Sequence, residues 1–534
     1  MKKATLMLLL LSICLSALAQ NYQINWQHCF GGSEFDIATD IIDIPSGYLI
    51  VGWTKSSDGD ISFNYGLNDG WLIKTDATGN ILWEKAYGGS SGDGFHNIVP
   101  DNLGNYIIVA GSGSSDGDIS NDPYPNSEDF WIVKIDIEGN ILWDKTVGGN
   151  FADKIYTGSP TSDGGIVAIG QSYSNDGDVS ISYGMGDTWV VKINNEGELE
   201  WDFTIGTDFI DVGQAIIQTS DGGYLVGGSS MLGQGGNITC EPHSSMAEAI
   251  LTKLDTARNI EWQHCYGGSN NDGIKSLLEI EDGYVFGAYT SSNDGDVSGY
   301  NGGTDAWIVK IDFEGNIIWQ NALGGSNFET VYRIFEDSFN NFFIFGVTYS
   351  NDGDVSGNHS FSEYYSDIWV VELDSEGVLI TQQCFGGAGK EGIEGGVIFR
   401  DDKNFVIAGN TNAGPSFDVT CTPHQIFPNS HPDFWIFEIK DTTVNVQENV
   451  AALATLTAYP NPACDYVCFE FNAQQKAEAG IKIFNNMGAQ IRNPVLYSSD
   501  GKYIWDTRQV QPGVYFYTWF ANGFTGSGKI VINN

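Results

Sequence analysis

Positive charge is what this sequence has least of. Only 24 of its 534 residues are Lys or Arg, against 68 Asp and Glu, for a formal net charge of −44. That balance repels phosphate backbones and anionic headgroups, so nucleic acid and acidic lipid surfaces are excluded as partners. After the first twenty residues no apolar run is long enough to span a bilayer, so no membrane insertion is expected. No segment reads as a long amphipathic helix. Motifs for phosphate, dinucleotide, nucleophile-elbow or zinc-protease chemistry are missing, and Ser and His stand in no recognisable triad order. With so many carboxylates, a neighbouring pair says nothing by itself about glycosidase chemistry.

What is present is core and turn material. Hydrophobic residues make up 41% and aromatics 13%, enough for a large interior, and 67 glycines accompany many Trp, Tyr, Phe, Val and Ile. That mixture favours strands joined by tight turns. The chain begins with Lys2 and Lys3, an apolar run and Ala17-Leu18-Ala19, the pattern of an export signal over residues 1–19. Bulky Ile13 before Cys14 argues against a lipoprotein signal.

An internal repeat organises the rest. Trp26, Trp83, Trp143, Trp201, Trp262 and Trp319, with Thr381 in the same place, recur 57 to 62 residues apart and give seven copies. Each copy has a Gly-Gly turn (Gly206-Thr207 in one), an apolar segment opening on an acid, a second strand and a loop. A third strand such as DAWIVKID and the Trp strand complete it. Four strands, seven times, predict an all-β seven-bladed propeller over residues 20–441. The seventh copy lacks its Trp strand, and an orphan Trp strand at Gln23–Cys29 is placed to supply it and close the ring. An open β-solenoid is the alternative. Repeats such as DAWIVKIDFEGNIIWQNALGGS resemble those of extracellular bacterial seven-bladed propeller proteins, which implies the fold and no one chemistry.

Composition changes after Lys440. A linker over 442–455 leads to a β-rich segment over 456–534, which local rules read as a small antiparallel sandwich. Tyr459-Pro460-Asn461-Pro462-Ala463, IKIFNNMGAQI, GVYFY and the final GKIVI resemble the C-terminal sorting domain of type IX secretion cargo in Gram-negative bacteria. The resemblance implies the type IX machinery as partner, passage through the periplasm, and a secreted or cell-surface location. Cys464 and Cys468 depart from the commonest pattern, and ~13 Å apart on one strand they cannot bridge each other.

Five copies carry an Asp-Gly-Asp loop. In blade five Asp294, Asp296, Ser298 and Asp305 fall at positions 1, 3, 5 and 12, the spacing of a calcium loop. Asp58, Asp60, Ser62 and Asp69 repeat it, as do Asp176, Asp178, Ser180 and Asp187, and Asp352, Asp354, Ser356 and Glu363. The competing reading is a plain turn with local side-chain caps, and a feature in five of seven blades is architecture first. Structural calcium is the cofactor these loops suggest. Ten residues after each Trp anchor stands an acid (Asp36, Asp93, Asp153, Asp211, Asp272, Glu329, Glu391), expected to cap the turn or to form a cation-binding collar.

Ligand candidates are sought where the repeat breaks. Tyr124, Phe361, Tyr364, Tyr365 and Phe427 lie in irregular loops on the face of the Asp-Gly-Asp turns, and suit a glycan or a protein. The expected role is a binding or scaffold module, with a glycoside hydrolase or lyase on the loop face as the rival. Blades four and seven carry Cys240 with His243 and Cys421 with His424, and the outer strands of those blades carry Cys265 and Cys29. Disulfides Cys240–Cys265 and Cys29–Cys421 follow, with Cys384 left unpaired. A zinc site drawing on His243 and His264, or His28 and His424, is the alternative.

Overall fold

Alternating apolar residues, β-branched side chains and acid-opened segments fold into strands that are buried on both faces, because each sheet stacks between two others. The computed structural model describes residues 22–125, 127–231, 233–243, 246–360, 362, 364–400, 403–424, 431–442, 454–463, 465–473, 478–485, 490–492, 495–497, 502–521 and 524–533. The expected export signal, most of the linker, Phe361, Glu363, Phe427 and Cys464 lie outside the described residues. The chain divides into two units, Met1–Thr442 and Thr443–Asn534.

The first unit is a ring of seven four-stranded antiparallel sheets. Blade one runs Asp36–Ile44, Gly47–Thr54, Asp69–Asp76 and Ile81–Tyr87, and five more blades repeat that order. The first strand of each blade lies beside the first strands of its neighbours, so these seven strands surround the central channel. In blade seven Tyr22–Phe30 pairs with Asp433–Asp441 beside Asn404–Thr411 and Glu391–Arg400. The N-terminal strand thus completes the last sheet, and the fold is a closed seven-bladed propeller rather than an open solenoid.

Each hydrophobic cluster draws on two adjacent blades. One joins Ile107, Val109, Phe130 and Ile132 of blade two to Ile155, Ile166, Trp189 and Val191 of blade three. The third strand of six blades places a buried Trp at its third position: Trp71, Trp131, Trp189, Trp307, Trp369 and Trp435. Each indole N–H donates to the outer strand of its own blade, as from Trp71 to Glu84 Oε2 at 2.9 Å. A buried Trp N–H needs such a partner, which explains the polar residue on an otherwise packed strand.

Every inner strand contains a bulge. Its pairing slips between Ala38 and Asp40 in blade one and between Phe95 and Asn97 in blade two. The slips in blades three to seven fall between Ile155 and Thr157, Gly213 and Ala215, Ile274 and Ser276, Val331 and Arg333, and Ile393 and Val397. A bulge leaves one residue out of the ladder and re-aims its side chain.

The second unit is a sandwich of two sheets. Ala454–Tyr459, Tyr466–Ala473 and Lys502–Asp506 form one; Gln490–Arg492, Glu478–Phe484, Gly513–Ala521 and Phe524–Ile532 form the other, with Val495–Tyr497 on Glu478–Phe484. Val467, Phe469 and Trp505 meet Ile481, Ile483, Ile530 and Ile532 in its core. Asn461 of the Tyr-Pro-Asn-Pro motif ties this sheet's last strand: its amide donates to Lys529 O at 2.7 Å and accepts from Val531 N–H at 2.8 Å.

Candidate functional site

The Asp-Gly-Asp loops act on the turns beside them. Asp58 Oδ1 accepts the Ser33 N–H at 2.8 Å and Asp60 Oδ2 that of Gly31 at 3.2 Å; Asp116 and Asp118 repeat this on Ser90 and Gly88. Ser62 N–H turns instead to Glu84, Ser180 Oγ to Asp202, Ser298 N–H to Gln320, while Ser356 Oγ accepts from Gln382. Asp69, Asp187 and Asp305 accept the backbone N–H groups of Tyr65, Tyr183 and Asn301, each four residues upstream. Among the described residues no three His, Cys, Asp or Glu side chains group as a metal site. The calcium expectation therefore rests on spacing alone.

The acid ring is buried in the blade junctions. Asp36 Oδ2 accepts the Gly32 N–H at 2.7 Å and the Ser56 hydroxyl at 2.9 Å, and Oδ1 accepts Thr54 Oγ1, so it caps the Gly-Gly turn. Beside it lies the acid that opens the third strand of the preceding blade. The first glycine of the turn is wedged between the two: a Cβ on Gly88 would fall 2.6 Å from Asp69 Oδ1 and 2.8 Å from Asp93 Oδ2. Burial, with Asp153 close by, pushes Asp129 up to about 8; burial likewise raises Asp305 and Glu391 to about 7.

Both expected disulfides are present. Cys29 and Cys421 have Cα atoms 5.6 Å apart, Cys240 and Cys265 5.5 Å apart, and Cys384 is free and buried. The bridged cysteines leave no zinc ligand set, and the two loop histidines go elsewhere. His243 Nδ1 lies 3.2 Å from Glu248 and Nε2 3.5 Å from Asp296 of the next blade. His424 stands 3.2 Å from Asp433 and 3.9 Å from Asp60, and His359 2.7 Å from Asp367 and 3.6 Å from Asp418. Three junctions thus hold an imidazole between two carboxylates. His264 and His28 bond instead to Glu314 O and Thr78 O, each at 3.0 Å.

Of the loop aromatics, Tyr124, Tyr364 and Tyr365 are among the described residues. Tyr124, in blade two, lies over Gly177 of the next loop, whose Cβ would meet its Cζ at 2.8 Å. Tyr364, in blade six, is 75% exposed, and Tyr365 beside it is half-buried.

A better-formed site lies in the channel. Three residues beyond each ring acid, at the bulge, stand Thr39, His96, Tyr156, Gln214, Lys275, Tyr332 and Glu394, seven positions with six different residue types. All seven line a cavity of about 620 Å³ that runs from the bulges toward Pro100 and Pro160 at the far ends of the inner strands, away from the Asp-Gly-Asp loops. Arg333 Nη2 is 3.8 Å from Asp40 Oδ1, while Asn97 Nδ2 and the Ile98 N–H hold Asp40 Oδ2 at 2.6 and 3.0 Å. Burial raises Glu394 and lowers Lys275, each opposed by the charge of the other. Burial drops His96 to about 4, leaving a neutral ring. Asp40 Oδ1, Asn97 Oδ1, Gln214 Oε1 and Arg333 Nε are buried and make no hydrogen bond. The sequence held a signal for this site: the third and fourth positions after the acid, which meet at the bulge, change from blade to blade.

Residues 457–533 match the family described as secretion system C-terminal sorting domain, so the chain carries a type IX sorting domain at its end and is export cargo. No curated protein matches the chain. Among solved structures, a member of the duf4221 family from Bacteroides vulgatus is 9% identical at a TM-score of 0.31, covering 79% of this chain and 98% of its own. The PQQ-bound aldose sugar dehydrogenase of Streptomyces coelicolor is 11% identical at 0.32, covering 78% and 97%. The extracellular region of plexin A4 is 8% identical at 0.42, covering 95% and 62%. Likeness at this level carries no functional argument.

Proposed function

We propose that this protein is a binding module, displayed at the cell surface or released after type IX export, whose glycan or protein ligand is held in the central channel. One observation carries the reading: a repeat that keeps its turns, caps and Trp positions varies the two residues that each bulge brings to the channel. Symmetric features maintain the ring; a ligand without sevenfold symmetry needs unlike contacts. The scarcity of basic residues sharpens the point, since Lys275 and Arg333 both line this cavity.

The second reading is an enzyme of the glycoside hydrolase or lyase type. It is favoured by two carboxylates on adjoining inner strands, Asp40 and Glu394, where a Cβ on Gly396 would lie 3.1 Å from Asp40 Cα. Two carboxyl groups flanking one cavity are what glycoside hydrolysis requires. Glu394→Gln separates the readings in the full chain. A binding module shows no turnover with either protein, whereas an enzyme shows turnover that the substitution abolishes.

A further inference from the structure

We propose that the channel receives the uncharged end of a saccharide chain, entering from the end of the ring opposite the Asp-Gly-Asp loops. This rests on the channel reading above and adds the chemical class of the ligand and its direction of entry.

Geometry narrows the shape first. The cavity is encircled by seven inner strands, so a ligand enters along the ring axis and end-on, which a folded protein surface cannot do. Its volume of about 620 Å³ is that of a small-ligand pocket, with room for a terminal sugar or two and their water.

Charge narrows the class. The cavity holds two cations and two anions, and they offset each other: Arg333 faces Asp40 at 3.8 Å, and Lys275 and Glu394 sit in each other's field. An anionic or cationic ligand would have to displace one of these partners and leave its mate unpaired. A polypeptide terminus brings such a charge.

Hydrogen bonding then decides. Three buried acceptors, Asp40 Oδ1, Asn97 Oδ1 and Gln214 Oε1, and one buried donor, Arg333 Nε, have no hydrogen-bond partner among the described residues. A buried polar group left unpaired costs about 1–3 kcal/mol, so the site favours a ligand that satisfies all four. Acceptors outnumber donors here, and sugar hydroxyls both donate and accept, so vicinal hydroxyls fit the set. Tyr156 and Tyr332 add aromatic faces for the apolar side of a pyranose.

The test is an array of neutral, amino and acidic glycans probed with the mature full-length protein, followed by calorimetry on the bound glycans with free monosaccharides as competitors. Neutral glycans with a shared terminal sugar should bind, with an affinity that changes little between low and high salt. Gln214→Leu and Tyr156→Ala, checked for an unchanged melting curve, should each weaken binding about tenfold, the loss of one hydrogen bond or one stacking face. If only acidic or cationic glycans or peptides bind, and Gln214→Leu still weakens them, the channel stands and the ligand class is overturned. If a ligand binds equally well to both variants, the channel reading itself fails. No neutral glycan bound at millimolar concentration also overturns the proposal.

Discussion

A single added Cβ decides whether a blade junction can close. At Gly88 it would push on two carboxylates, Asp69 and Asp93, that are already buried and fixed by the turn they cap. Gly88→Ala should therefore lower stability by about 2 kcal/mol, as overpacking against a rigid polar pair does, and thermal denaturation would read it. The same substitution at Gly104, in the turn between the first two strands of blade two, meets no atom within 4 Å, but its φ of 98° makes it costly through the backbone instead. The two disulfides differ in what they constrain. Cys29–Cys421 spans 392 residues and ties the first strand to the last blade, whereas Cys240–Cys265 spans 25 within blade four. On chain entropy the long loop is worth roughly 6 kcal/mol and the short one roughly 3.5. Replacing Cys29 by Ser should accordingly lower the melting temperature more than replacing Cys240, as paired melts of the two variants would show.

Strands were legible in the sequence and bulges were not. Alternation and the repeated third-strand Trp set the blade, the missing last strand pointed to Tyr22–Phe30, and equivalent positions in two blades paired the cysteines. Period-two reading fails at the inner strand for a physical reason. Ala38 and Ile41 are both core residues, as are Phe95 and Ile98, and an odd spacing of three cannot bury both on one face of a straight strand. The bulge absorbs that slip and turns the residue between toward the channel, so the odd spacing was itself the clue. Loop aromatics drew attention because they broke the repeat in length, while the channel residues broke it only in identity. The outer strand that closes the ring carries its own prediction. Without Tyr22–Phe30 the edge of Asp433–Asp441 has no partner, and such edges template association. A chain lacking that strand should elute as aggregate on size exclusion, and a monodisperse ring would refute its role as the closing strand.

For the whole molecule, stability should depend on pH in the opposite sense to that of most acidic proteins. Its buried junction carboxyls titrate high: burial holds Asp36, Asp69 and Asp211 at about 6, Asp305 and Glu391 at about 7, and Asp129 at about 8. A carboxyl whose folded value exceeds its unfolded one, about 4, contributes stability that is whole below about 4 and lost as pH rises through the folded value. His359 adds to the same trend, since Asp367 and Asp418 outweigh its burial and raise it. The turns between the first and second strands of blades two to four work the other way. Against some burial, hydrogen bonds from Lys134 to Asp101, and from Lys192 and Lys253 to Asp163 and Asp221, hold those carboxyls at about 2. Their contribution is present above about 4 and disappears as pH falls toward 2. The two sets together place the most stable ring near pH 4, with a decline that continues to about pH 8 as successive junctions ionise. Melting curves of the full chain from pH 3 to pH 9 measure this directly. Asp129→Asn, which removes the highest-titrating member, should flatten the alkaline limb, and a melting temperature that rises steadily from pH 5 to pH 8 would show that the junction acids are ionised in the folded ring.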